Sequence, residues 1–379
     1  TDFAVCLFVL LVFSSFSLSE GKEVKIIENP AKPVSEKAGR VVGLKEVFRI
    51  TDASITDASG EFYFKNPSRL KVAPDGAFFL VDKEEFLHFD AKGNFIANRF
   101  KKGQGPGECD RILDYHFRDN KIYIYTGRPH KILVTDLKGN LAGEYRADHR
   151  MRFLKIFGMF ADKYWFAGTN DESFYKKNAG EINLNLELSY VTAAGKIEKT
   201  GLLIPEKWYI VKKESNKGSY AIGLNRVITT RFAMDPSGIL FFMNSQKYLV
   251  QRLDFGKGKI TGKFRREYSG ILFKDKKSED GKVIPRLPRP DYFTDIQHLF
   301  LNKDEIWVFT STLVPGKGVL VDVFTKEGKY RDNFYLKLPQ VPDVQALRAK
   351  QFTLFENCLF TFETDVDENP VVVKYQLIF

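Results

Sequence analysis

One short motif recurs five times along the chain: a turn that ends in Gly, then Asn or Lys, then an apolar or aromatic residue. It reads Asp90-Ala-Lys-Gly-Asn-Phe, Asp136-Leu-Lys-Gly-Asn-Leu, Thr192-Ala-Ala-Gly-Lys-Ile, Phe255-Gly-Lys-Gly-Lys-Ile and Thr325-Lys-Glu-Gly-Lys-Tyr. A short hairpin loop needs a residue of positive φ where it closes, and glycine takes that conformation without a Cβ clash. Upstream of each copy a second turn opens an aromatic-rich strand, as in Pro74-Asp-Gly-Ala-Phe-Phe-Leu-Val and Asp235-Pro-Ser-Gly-Ile-Leu-Phe-Phe, and Glu356-Asn-Cys-Leu-Phe-Thr-Phe adds a sixth. With Gly76, Asn120, Lys163, Gly238, Asp304 and Asn357 taken as equivalent, the spacings are 44, 43, 75, 66 and 53 residues. A unit of about 43 residues with inserts around 169–224 and 270–294 accounts for them.

Units of this length holding four short strands stack radially as blades, so the pattern predicts an all-β, six-bladed β-propeller of four-stranded antiparallel blades. The sixth unit, with strands expected near 346–354, 358–363 and 370–378, is one strand short. Either Lys45–Ile50 or Glu61–Lys65 is expected to supply the missing one, so that an N-terminal strand closes the ring and removes an open edge. Composition agrees: 35 Phe and 16 Tyr in a chain that is 44% hydrophobic favour strands around a large core and exclude disorder. Residues 40–379 are therefore read as one propeller domain.

Residues 3–13, FAVCLFVLLVF, form an unbroken apolar run followed by SSFSLSEGK. The run is too short to span a bilayer but suits a secretory leader over 1–19, with cleavage near Ser19 and a linker over 20–39. The chain opens on Thr1-Asp2 without the usual basic start, so a few residues are expected to precede it. An exported protein, periplasmic or extracellular, monomeric and without a transmembrane segment in its mature form, is the expectation. Cys109 and Cys358 then remain, as a pair or, the preferred reading, as separate buried thiols, and no CxxC metal motif occurs. The net charge of +10 is spread along the chain rather than blocked, which fits a solvated outer face, and nucleic acid is not an expected partner.

Two stretches carry a family resemblance. Gly103-Gln104-Gly105-Pro106-Gly107-Glu108 is similar to a Gly-x-Gly-Gln-Gly-Pro-Gly-Glu-Phe segment, with Lys101-Lys102 before it and Cys109 where Phe is usual. Phe79-Leu-Val-Asp through Leu87-His-Phe-Asp-Ala-Lys-Gly is similar to an NHL unit. On these the chain resembles exported bacterial six-bladed propellers related to the NHL and TolB-like proteins. The resemblance implies fold and export, and no chemistry.

In such a ring the loop leading into each innermost strand lies beside the loop joining the two middle strands, and ligands meet that rim. The 103–108 segment is such a lead-in loop, with Gln104, Glu108 and Arg111 available to a ligand, or with Glu108 simply holding backbone amides. Arg128 and His130 fall in the middle-strand loop of the second blade, and Arg152 and Arg226 near the starts of the third and fourth, so a basic rim for a carboxylate, sulfate or acidic glycan is conceivable. Tyr115, Tyr125 and Tyr292 are candidate platforms for sugar rings, or core. The expected function is a non-catalytic scaffold binding a protein, peptide or glycan, with no cofactor, no resident metal and no assignable catalytic residue. The alternative is a calcium-dependent hydrolase or lyase of the lactonase or esterase type, drawing Glu108, Asp114, Asn225 and Asp291 onto one cation.

Overall fold

Two strands at the start of the chain belong to blades that it completes only much later: β1 (Ile26–Asn29) and β2 (Arg40–Ile50). A minimal pair follows, β3 (Thr56–Asp57) and β4 (Gly60–Glu61), and then the blades run in order. Blade one is β5 (Pro67–Val72), β6 (Phe78–Asp82), β7 (Glu85–Phe89) and β8 (Phe95–Asn98). Blade two is β9 (Ile112–Arg118), β10 (Lys121–Thr126), β11 (Lys131–Asp136) and β12 (Leu141–Arg146). Blade three holds β13 (Arg152–Phe160), β14 (Lys163–Thr169), β15 (Gly180–Val191), β16 (Ile197–Glu214) and β17 (Tyr220–Arg226). Blade four is β18 (Arg231–Met234), β19 (Ile239–Met243), β20 (Val250–Asp254) and β21 (Lys259–Arg266). Blade five is β22 (Ile296–Asn302), β23 (Glu305–Val314), β24 (Gly318–Thr325) and β25 (Tyr330–Leu336), and blade six is β26 (Phe352–Phe355), β27 (Cys358–Thr364) and β28 (Pro370–Ile378). This computed structural model describes residues 24–51, 56–57, 60–61, 64–127, 130–146, 152–169, 180–192, 194–214, 220–226, 230–273 and 291–379, so the expected leader lies outside the described residues.

The burial pattern follows from the stacking. β6 is buried at every position because both of its faces meet a neighbouring blade, whereas the outer β8 alternates between half-buried and exposed. Among the described residues six separate cores result, one between each pair of adjacent blades. Phe79 and Ile124 share the first, Ile132 and Phe166 the second, and Trp165 and Phe255 the third. Phe264 and Phe324 share the fourth, Phe309 and Leu359 the fifth, and Phe360 and Phe78 the sixth, which joins the last blade to the first.

Closure uses β2, which pairs antiparallel with β28 from Gly43 opposite Ile378 to Ile50 opposite Val372, as the Lys45–Ile50 alternative anticipates. Its first residues also pair in parallel with β25, so one strand ties blade five to blade six. The stretch expected as linker is more structured than that. β1 adds a parallel fifth strand to blade four, and Asn29 then donates to the Gly328 carbonyl and accepts from the Tyr330 amide of blade five. Residues 24–50 thus strap the outside of three blades.

Three further expectations are corrected. Not every blade has four strands, since blade three carries β17 and blade four carries β1. The insert expected as polar turns around 169–224 is largely the paired strands β15 to β17; Glu206 of β16 pairs with the buried Lys155 of β13 at 3.1 Å within the blade and accepts from the Thr230 hydroxyl at the start of blade four. The strand expected over 346–354 is split: Val344–Ala349 is a short helix, α1, because Asp343 caps the Ala346 amide and the residues that follow favour helix. Cys109 and Cys358 are separate free thiols. Among the described residues no helix is long and apolar enough to cross a membrane.

Candidate functional site

The β19–β20 loop and the connection from β21 into β22 meet at one end of blades four and five, where they border a cavity of about 830 Å³. The connection pinches back on itself before β22, with Leu272 bridged to Tyr292 and the Phe293 amide on the Ile271 carbonyl. Two hydrogen bonds then lock it to blade four: the Asp295 amide donates to the Gln246 carbonyl at 2.9 Å, and Gln246 Nε2 donates to the Tyr292 carbonyl at 3.0 Å. A third also runs from blade four, the Tyr248 amide donating to Asp295 Oδ2 at 2.8 Å. Asp295 is therefore fixed by backbone on both sides, only 7% exposed, and set in the cavity wall. Its neighbour Tyr292 is 46% exposed and offers an open ring. Burial pushes the Asp295 carboxyl up to about 6, with the Tyr248 amide, Arg266 and Lys247 opposing the rise.

Beneath this wall lies a closed network. Asp322, fully buried, accepts from Arg266 Nε at 2.7 Å, from the Tyr248 hydroxyl at 2.8 Å and from the Tyr330 hydroxyl at 2.7 Å. The Arg266 guanidinium also lies about equally near three rings, 5.1 Å from Tyr248, 5.1 Å from Tyr268 and 5.5 Å from Tyr330. Burial opposes its charge, but the Asp322 carboxylate more than offsets that and raises its pKa. On the outer side, Arg265 is held in a fork by Glu28 of β1, with Nε 2.9 and 2.8 Å from the two carboxylate oxygens. The strap is thus part of the wall.

Residues 41–202 match the model of the DUF5128 family, described as a 6-bladed beta-propeller, and that stretch covers β2, blades one and two and most of blade three. Blades four, five and six continue the ring, with β1 added to blade four and β2 completing blade six. The chain is a six-bladed β-propeller. Among solved structures the propeller is similar to a Bacteroides fragilis protein provisionally named as exported, with 11% identity over 94% of this chain and 100% of that one and a TM-score of 0.49. It is also similar to a streptogramin B lyase, with 12% identity over 89% and 98% and a TM-score of 0.44, and to BamB from Moraxella catarrhalis, with 12% over 88% and 98% and a TM-score of 0.36. No curated protein matches it.

The propeller places the residues singled out in the sequence unevenly. Gln104, Glu108, Arg111 and His130 gather at one end of blade two, where the Gly127 amide donates to the Arg111 carbonyl and joins the two loops. Glu108 is turned inward: its Oε2 accepts from the Gly105 amide at 3.0 Å, and a Cβ on Gly103 would collide with that carboxylate. The same loop is pinned from below by Lys131, whose buried ammonium donates to the Gly105 carbonyl at 2.8 Å and to Glu144 at 3.0 Å. Gln104 and Arg111 are exposed, and His130 lies 3.3 Å from the Tyr125 hydroxyl. Arg128 falls outside the described residues. Arg152 opens the innermost strand of blade three, but Arg226 ends β17, opposite Trp208, at the edge of that blade rather than in a lead-in loop. Tyr115 and Tyr125 are core, with the Tyr115 hydroxyl donating to the Phe79 carbonyl at 2.6 Å, and Tyr292 alone of the three is exposed.

The four candidate cation ligands occupy separate places: Glu108 before β9, Asp114 on β9, Asn225 on β17 and Asp291 before β22. Asp114 is engaged by Lys71 at 2.7 Å and by His116 at 3.3 Å. Among the described residues no three His, Cys, Asp or Glu side chains gather as a metal site.

Asp295 and Gln246 were missed, although a signal for the first exists. Its carbonyl accepts from the Ser311 amide as that of Arg111 accepts from Gly127, so the two residues hold the same place in their blades. Aligning the repeats through blade five would have found it.

Proposed function

We propose that this protein is an exported, non-catalytic propeller that binds a peptide, protein or glycan in the cleft between blades four and five. One observation carries the reading: a carboxylate fixed by backbone hydrogen bonds, Asp295, stands beside an exposed ring, Tyr292, in a cavity of about 830 Å³. Aromatic rings with a few fixed polar groups in a concave wall are what ligand sites are made of. The blade-two loop supports the reading less, since Glu108 and Lys131 are spent on holding the loop itself. Export rests on the apolar run at 3–13 and the small residues that follow it.

The test is a screen of the purified mature chain against peptide and glycan libraries, repeated with Tyr292→Ala. Binding that is lost in the variant while the thermal melt is unchanged supports the cleft. Binding that survives in Tyr292→Ala and disappears in Arg111→Ala moves the site to blade two.

A further inference from the structure

We propose that the cleft between blades four and five takes a cationic group, a primary ammonium or a guanidinium, seated between the free oxygen of Asp295 and the ring of Tyr292. The proposal rests on the binding role of this cleft and names the chemistry recognised there.

Two of the three cations in the cleft wall are already neutralised. Arg265 is forked onto Glu28, with Nη2 to Oε1 at 2.7 Å, and Arg266 is held by Asp322 through Nε and Nη2, both at 2.7 Å. The carboxylates of Asp295 and Glu267 have no ion pair among the described residues, and Lys247, exposed on the β19–β20 loop, is the one cation left against them. Among the described residues the cleft therefore carries a small excess of negative charge.

Asp295 is the more telling of the two. Oδ2 receives the Tyr248 amide, while Oδ1 has no hydrogen bond from any described residue although the residue is more than nine-tenths buried. Oδ1 is not sealed from water, so it is an acceptor that a ligand donor can reach from the cavity. Space for that donor is kept by Gly270, where a Cβ would lie 3.7 Å from Oδ1 and 3.0 Å from the Tyr292 ring. A hydroxyl could also satisfy Oδ1. A cation gains more, because it meets a full negative charge and the negative face of an aromatic ring together.

The groups facing Asp295 are Lys247 and Tyr248 from the β19–β20 side, Arg266, Glu267 and Tyr268 from the end of β21, and Tyr292 from its own connection. Of these charged groups only Lys247 and Glu267 stand open to solvent, one of each sign, so the sign of the seat is set by Asp295. Its carboxyl titrates at about 6, so cation binding is strong at neutral pH and fades as the carboxyl takes a proton below that value.

The probes are N-acetylarginine methylamide and N-acetyllysine methylamide, with the citrulline and N-ε-acetyllysine analogues as neutral matches of nearly the same shape. Titrations followed by calorimetry use the mature chain at about pH 7.5 and about pH 5. The expected result is a preference for each cation over its neutral match of about tenfold or more, lost to a similar degree in Asp295→Asn and in the acid arm. Asp295→Asn keeps an oxygen for the Tyr248 amide, and a matching melt shows that it folds; Tyr292→Ala serves as the second variant. Equal binding of charged and neutral probes, or binding indifferent to Asp295→Asn, overturns the cationic class. If library ligands depend on Tyr292 while both cations fail to bind, the cleft stands as the binding site and the cationic class falls. If neither cations nor library ligands respond to Tyr292→Ala, the cleft itself is wrong.

Discussion

Ile50 of β2 lies opposite Val372 of β28, and both are buried, so residues near the two ends of the chain share one sheet and one core. Deleting the Ile50 side chain removes packing between the first and last blades at once. Ile50→Ala is expected to cost about 2–5 kcal/mol of stability, whereas Val47→Ala, at an exposed position of the same strand, stays within about 0.5 kcal/mol. Denaturant unfolding of the two variants checks the contrast.

The Arg266–Asp322 network behaves as a unit. Asp322→Ala leaves a guanidinium buried without its partner and is expected to cost about 3–5 kcal/mol. Tyr330→Phe removes one hydrogen bond to the same carboxylate and is expected to cost about 1.5–3 kcal/mol. Calorimetric melts of both variants rank them, and an Asp322→Ala protein as stable as the parent would show that the network contributes nothing.

Two aspartates give stability slopes of opposite sign. Asp295 has a folded pKa of about 6, above its unfolded value, so the folded state holds the proton more readily and this contribution to stability is lost as pH rises through about 6. For Asp114, burial pushes upward but Lys71 and His116 prevail and hold the carboxyl well below the usual range. Its contribution is present at neutral pH and is lost as pH falls below the ordinary carboxylate value. Unfolding free energy followed against pH should lose its decline near 6 in Asp295→Asn and part of its acid decline in Asp114→Asn.

Calcium is expected to leave the melting temperature unchanged, with or without prior chelation. Asp114, one of the four candidate ligands, is already neutralised by Lys71 at 2.7 Å, and among the described residues no three His, Cys, Asp or Glu side chains gather. A chelator-sensitive melt would place a cation site outside this arrangement.

Gly270→Ala is expected to weaken ligand binding and leave the melt unaltered. The added methyl group would stand 3.0 Å from the Tyr292 ring, which is exposed enough to turn aside, so the change falls on the shape of the cleft rather than on the core.

What could be read ahead of the structure was what is local. Gly93, Gly139, Gly195, Gly258 and Gly328 all have positive φ, between 60° and 92°, as five closing hairpins demand. The companion turns slip by a residue in places: Asp162, Lys303 and Glu356 carry the positive φ one position before Lys163, Asp304 and Asn357, which blurs the register of the repeat. The candidate site resisted for a different reason. Asp295 matters through Gln246 and Tyr248 on another blade and sits in a wall completed by Glu28, and no pattern along the chain announces contacts so far apart. The strap is equally silent, since four residues of β1 are too few to show an alternation.

The double pairing of β2 also sets the order in which the molecule can be finished. Its partners in β25 and β28 lie about 294 to 335 residues downstream, so during synthesis it waits as an unpaired edge while five blades are made. Such distant pairing carries the largest loop-closure entropy in the fold and makes the last step slow. The ring is latched only when residues 370–378 arrive, and until then the apolar flanks of blades one and six stay open to water, to one another and to any chaperone that meets the chain.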